Sequence, residues 1–128
     1  MLWLLARAQR RVASATDVSF ADLDLTATQA GALFCFTDEG LLIGELAAAL
    51  DLAQSAASGL AMRLEAADLV TRGEEQGDGR AARLRLTPVG KRKREEAARR
   101  AHAANSRLLA GFTASEADII VRWLNHVA

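Results

Sequence analysis

The spacing of apolar residues divides the chain into helices interrupted by one stretch of strand pattern. Leu5, Ala8 or Gln9, Val12 and Thr16 recur at helical spacing and predict a first helix over about 2–20. Thr26-Ala27-Thr28-Gln29 has the form of a capping box, in which threonine and glutamine satisfy each other's backbone N–H groups. It predicts a second helix to about Asp38, ended by Gly40, with Leu33, Phe34 and Cys35 turned inward. Leu41-Leu42-Ile43 reads as a short extended piece. Helical signal resumes at about Gly44 and runs through Leu50, and Asp51-Leu52-Ala53 makes a turn. A further helix from Gln54 to about Ala67 buries Ala57, Leu60, Ala61 and Leu64. Two short helices joined by a three-residue turn form a helix-turn-helix pattern.

The next segment narrows the reading. Leu69-Val70-Thr71-Arg72 has strand character, Gly73 to Gly79 is rich in turn residues, and Ala82-Arg83-Leu84-Arg85-Leu86 alternates with period two. Together they predict a β-hairpin directly after the second helix of the pair, the wing of a winged helix. Thr87-Pro88 then opens a long helix, with threonine as N-cap and proline where a missing N–H costs nothing. That helix runs to about Ala110 with Ala97, Ala101, Ala104 and Leu108 in one stripe. Thr113-Ala114-Ser115-Glu116 is a second capping box, opening a last helix that carries Ile120, Val121, Leu124 and Val127. The expected fold is mainly α with a small β-hairpin wing: a winged helix-turn-helix with N- and C-terminal dimerisation helices. It forms one domain over 1–128, with about 25–87 as the reading part and about 1–24 and 88–128 as the dimerisation helices.

Composition supports helices in one domain. The 128 residues include 28 alanines and 19 leucines but one proline and no tyrosine. A single cysteine excludes an intramolecular disulfide framework and suits a reducing cytoplasm. No apolar run approaches the ~18–20 residues that span a membrane, so no membrane partner is expected. Leu2, Trp3, Leu4 and Leu5 at one end, with Ile119, Ile120, Val121, Trp123, Leu124 and Val127 at the other, exceed what one helix face can bury. Apolar patches of that kind mark an interface, and predict a twofold dimer.

Charge is balanced overall, with 16 basic and 16 acidic residues, yet sharply segregated. Residues 80–100 carry seven Arg and two Lys against Glu95 and Glu96, a net of +7. This block reads either as a polyanion-facing surface or as a solvated helix face. No nucleophile–base pair, phosphate loop or carboxylate constellation is present, which points away from an enzyme, and no cofactor is expected. His102 and His126 are isolated, without the spacing of a metal site. Cys35, between Phe34 and Phe36, has no basic neighbour to lower its pKa and reads as a buried structural thiol.

In this order the motifs resemble those of the MarR family of bacterial transcription regulators, over nearly the whole chain. Leu25-Thr26 with Gln29 resembles the opening of the family's second helix, and Gly44-Glu45-Leu46-Ala47 its first helix-turn-helix element. Arg63-Leu64-Glu65-Ala66, then Leu69-Val70 and Arg72, resembles the end of the recognition helix and the first wing strand. Asp78-Gly79-Arg80 falls at the wing's Asp-x-Arg, Leu86-Thr87-Pro88-Val89-Gly90 resembles the opening of the long helix, and Gly111-Phe112-Thr113 with Glu116 that of the last helix. The resemblance implies a homodimeric winged helix-turn-helix protein, probing double-stranded DNA at a pseudo-palindromic operator as a repressor and released by a small aromatic effector. In that frame Gln54, Ser55, Ser58, Arg63, Arg72, Arg80 and Arg83 are the candidate DNA contacts, with Asp78 aiming Arg80 into the minor groove. Arg63 and Arg72 can equally pair with Glu65 and Asp68. Trp3, Arg7 and Arg10 lie on the helix that borders the family's effector cavity and are the candidate effector contacts; Trp3 also reads as dimer packing. The recognition helix of the family usually starts with a capping Asp or Ser and carries Thr and Arg on its exposed face; here Ala53, Ala56 and Gly59 occupy those places. With an acidic wing tip at Glu74 and Glu75, this keeps a second reading open: a MarR-like dimer without useful DNA recognition, acting through protein–protein contacts.

Overall fold

The computed structural model describes residues 1–74 and 82–127. Among the described residues, six helices and three strands follow in the order α1 (Leu2–Phe20), a 3₁₀ turn (Ala21–Leu23), α2 (Ala27–Cys35), β1 (Leu41–Leu42), α3 (Ile43–Ala49), α4 (Gln54–Ala66), β2 (Val70–Glu74), β3 (Ala82–Leu86), α5 (Pro88–Leu108) and α6 (Ala114–Val127). The strands form one antiparallel sheet in the order β1-β3-β2. The tip of the hairpin, with the expected Asp78–Arg80 pair, lies outside the described residues.

Helix boundaries follow their caps. The Gln29 N–H donates to Thr26 Oγ1 at 3.1 Å and the Thr26 N–H to Gln29 Oε1 at 2.9 Å, completing the predicted capping box. Thr113 and Glu116 close the same kind of box at α6. The Leu42 N–H donates to Glu45 Oε2 at 2.7 Å, which fixes the start of α3 one residue before the expected Gly44.

Helix α2 differs from expectation. It ends at Cys35, not near Asp38, because Phe36 turns extended to enter the core. Leu33 is fully buried, but Phe34 faces out and is 43% exposed. Gly40 sits instead in the turn before β1, at φ +82°, where a Cβ would lie 2.3 Å from the Leu84 carbonyl oxygen. Glycine is required there by both the backbone conformation and the close approach.

The core lies where α2, α3, α4, the sheet and the first half of α5 meet. Leu33, Leu46, Leu60, Leu64, Leu69 and Leu84 are its largest fully buried side chains. Helix α4 contributes Ala57, Leu60, Ala61 and Leu64, the predicted stripe. Helix α5 lies against this unit through Ala97 and through its first turn, where Gly90 rests on the backbone of Leu69. Thr87 makes that junction: its hydroxyl donates to the Asp68 carbonyl at 2.6 Å and accepts from the Gly90 N–H at 2.9 Å. The distal part of α5 and both terminal helices are different. Helix α6 has no buried residue and α1 buries only Phe20.

A Cβ at Gly90 would stand 2.0 Å from the Leu69 carbonyl oxygen, a backbone atom that cannot rotate away. Gly90→Ala is therefore expected to lower unfolding free energy by about 3 kcal/mol or more, in the range of severe overpacking. At Gly44, in α3, an added Cβ meets nothing within 4 Å, and Gly44→Ala should stabilise by about 0.5–1 kcal/mol. Denaturant unfolding of the two variants checks both signs.

Candidate nucleic-acid interface

Three stretches make up the candidate interface: the outer face of α4, the outward face of the hairpin and the start of α5. Helix α4 presents Gln54, Ser55, Met62 and Arg63 as exposed residues, with Ser58 and Gly59 half-buried. The Ser58 hydroxyl donates to the Gln54 carbonyl at 2.9 Å, so its proton is already used within the helix. Ala53 precedes the helix without a side-chain cap, leaving its first N–H groups without side-chain partners. In the hairpin, Thr71 pairs with Arg85 and Gly73 with Arg83, which places both arginines on the face turned from the core.

The arginines and lysines expected to form one basic surface have divided roles. Arg72 is held by Glu65, with Nη2–Oε2 at 2.9 Å and Nε–Oε1 at 3.3 Å, so that β2 is stapled to the end of α4. Arg83 donates to the Gly40 carbonyl at 3.3 Å and lies 3.6 Å from Glu45; its side chain is 20% exposed. Lys93 donates to the Leu23 carbonyl at 2.6 Å and Arg94 to the Phe36 carbonyl at 2.9 Å. Arg100 donates to the Ser19 carbonyl at 3.0 Å and pairs with Asp22 and Glu96, and Arg99 pairs with Glu96. Five members of the +7 block are thus committed inside the chain, where they tie α5 and the sheet to neighbouring segments. Among the described residues, Arg63, Arg85, Lys91 and Arg92 carry no ion pair. They are the cations of this face left for an external anion.

The titrating groups fit this division. Hydrogen bonding to Arg100 holds the Asp22 carboxyl below its ordinary range, and Arg99 and Arg100 do the same for Glu96. Burial pushes the Cys35 thiol up, and its Sγ donates to the Gly31 carbonyl at 3.3 Å. That thiol is half-buried and unactivated, in keeping with a structural role.

A second feature lies between α1 and the distal half of α5. It is a cleft of about 490 Å³ walled by Val12, Ala15 and Phe20 on one side and Ala101, Ala104 and Leu108 on the other. Arg11, Arg100 and Arg107 stand at its edges. Arg7 and Arg10 line an adjoining open groove on α1 that shares Arg11 and Ala15 with the cleft. The Arg7 guanidinium stacks on the exposed Trp3 ring at 5.3 Å. The structure therefore brings Arg7 and Arg10 beside the cleft and leaves Trp3 outside its wall. The cleft itself was not legible as such. Its signal is the Ala101–Ala104 pair, whose small side chains leave space where a core stripe would fill it.

With this geometry in view, the comparisons are specific. Residues 23–81 match the model of the MarR family. The fold matches that of BpsR from Bordetella bronchiseptica, whose DNA binding is regulated by 6-hydroxynicotinic acid, with TM-score 0.82 and 27% identity over 97% of this chain and 95% of that one. It matches CouR from Rhodococcus jostii RHA1 bound to p-coumaroyl-CoA, with TM-score 0.87 and 26% identity over 97% and 88%. It also matches S. aureus MepR in complex with DNA, with TM-score 0.89 and 20% identity over 99% and 95%. No curated protein matches the sequence. The chain thus carries the MarR-family match over residues 23–81 and has the winged-helix fold of MarR-family transcriptional regulators.

The depressed carboxyls set a sign for acid unfolding. A carboxyl whose folded pKa lies below its unfolded value contributes stability above the unfolded value and loses it as pH falls through the folded one. Stability should therefore fall below about pH 4, and Arg100→Gln should flatten that limb while lowering the neutral plateau. Because the pairs are exposed, 1 M salt should shrink the difference. Melts of both proteins between pH 2 and 7 test this; an unchanged acid limb in Arg100→Gln would remove the network from the account.

Proposed function

We propose that the chain is a homodimeric repressor that binds a pseudo-palindromic operator through α4 and the hairpin and is released by a small aromatic acid in the α1–α5 cleft. One observation carries the DNA reading. Arg63 on the exposed side of α4 and Arg85 on the outward face of the hairpin carry no ion pair among the described residues, while five cations of the basic block are held by the fold. A helix with its N-terminal N–H groups open and arginines at its margins suits a major groove bordered by phosphates. Gln54 is the side chain there able to make a bidentate contact to adenine. Arg80, supported by Asp78, is the wing contact to the minor groove in this reading.

Dimerisation is supported by the apolar groups that a single chain leaves in water. Leu2, Leu4, Ile119, Val121, Leu124 and Val127 are all exposed, and α6 has no role in the core. A second copy closing over α1 and α6 buries them and sets the two α4 helices about 34 Å apart, one turn of B-DNA. The cleft supports the effector reading: apolar walls suit an aromatic ring, and Arg11 and Arg107 at its edges, with Arg7 and Arg10 beyond, suit a carboxylate.

Binding to duplexes from around its own gene should be steeply salt dependent, with log K falling against log salt at a slope of about −5 to −9 for 6–10 phosphates per dimer. Arg63→Ala should weaken binding to all duplexes and reduce that slope. Arg80→Ala should cost about 1–3 kcal/mol, more on A·T-rich flanks than on G·C-rich ones, and Asp78→Ala less but in the same direction. A flat salt dependence, with no duplex bound at low salt, would favour a protein–protein module instead. Sedimentation at micromolar concentration should give a dimer; a monomer there would overturn the assembly.

A further inference from the structure

The exposed surface of α4 has a direction. Ala57, Leu60, Ala61 and Leu64 point into the core, and at 3.6 residues per turn Ser55, Gly59 and Met62 stand diametrically opposite. Whatever α4 is laid against meets that stripe first. Met62 is 65% exposed. A helical side chain leans toward the turn before its own Cα, and Met62 stands one turn after Gly59 on the same stripe. Packing inside the chain does not demand that glycine, since a Cβ there would touch only Arg63 Nη1, at 3.6 Å. It costs the helix stability relative to alanine, yet it opens the outer face to close approach. With the Ser58 proton spent on Gln54, the C-terminal half of that stripe, Gly59 and Met62, is apolar and polarizable, with Ser55 one turn before it and with Gln54 on one side and Arg63 on the other.

In the major groove, the thymine 5-methyl group is the apolar feature that distinguishes one base pair from another. Resting on the reading that α4 enters that groove, we infer that Met62 is a specificity-determining residue that packs on the methyl group of one thymine in each half-site. Gly59 lets the helix come close enough for the contact. The outer face of α4 then reads the base pair through an apolar contact rather than a polar one.

The test uses the full chain and needs no prior operator. Duplexes are selected from a random pool, and each thymine of the selected site is then replaced singly by deoxyuridine, which removes only the methyl group. Wild-type protein should lose about three- to fivefold in affinity at one thymine per half-site, the factor expected for one buried methyl group. Met62→Ala should bind the thymine duplex about that much more weakly and should no longer distinguish thymine from uracil at that position. Because Met62 is exposed, this variant should keep the wild-type melting temperature. Gly59→Ala should melt higher yet bind more weakly, opposite signs that a purely structural glycine does not give. Selected duplexes whose uracil derivatives all bind wild-type protein equally, or an undiminished thymine preference in Met62→Ala, would overturn the contact while leaving DNA binding intact. Recovery of no duplex would overturn the DNA reading and this inference with it.

Discussion

The arrangement of the molecule depends on the contact between the first turn of α5 and the chain that leaves α4. Thr87 bridges the Asp68 carbonyl and the Gly90 N–H, the Thr87 N–H donates to the Leu69 carbonyl at 3.0 Å, and Gly90 lies on the Leu69 backbone where no side chain fits. The Leu69 N–H in turn donates to the Leu64 carbonyl, closing the end of α4. One short junction thereby fixes three things: where the exposed helix ends, where the hairpin begins and in which direction the 21-residue α5 departs. A buried threonine with both of its hydrogen-bonding roles filled is well suited to this, since an unfilled one would cost free energy in a core of alanine and leucine.

Further along α5, charge does the work that apolar packing does elsewhere. Lys93, Arg94 and Arg100 reach the carbonyls of Leu23, Phe36 and Ser19, at the ends of the 3₁₀ turn, α2 and α1. Helix ends leave carbonyls without partners, and cations are favourable beside them. The long helix therefore gathers the ends of its neighbours. This also explains why a strongly basic block does not become an equally basic surface. Arg100 further joins the wall of the α1–α5 cleft to Asp22, so the cleft and the junction between α1 and α2 share one side chain.

How much of this was legible depends on how local the cause is. The capping boxes at Thr26 and Thr113, the Thr87-Pro88 start and the buried stripe of α4 were read directly, because each is a pattern within a few residues. The errors arose where distant segments decide. Phe34 and Phe36 have the same composition around them, and only the position of the core sends Phe36 inward and Phe34 out. Gly40 looked like a helix terminator but answers to Leu84, far along the chain. At the candidate site, Gln54, Ser55 and Arg63 were found on the expected exposed side, and the Arg72–Glu65 alternative was realised. The partners of Arg83, Lys93, Arg94 and Arg100 were out of reach, since a charge run does not say which of its members will meet a carbonyl. The wing pair Asp78 and Arg80 lies outside the described residues.

The apolar faces of α1 and α6 and the outward face of α4 are complementary parts of one account. In the proposed dimer a second copy covers the former, and the latter occurs twice on one side of the assembly. Hydroxyl-radical footprinting of the protein on the duplex flanking its own gene tests this most directly. The account predicts two symmetric protected patches on one face of the duplex, about 10 base pairs apart. A single unpaired patch, or protection with no fixed spacing, would contradict it.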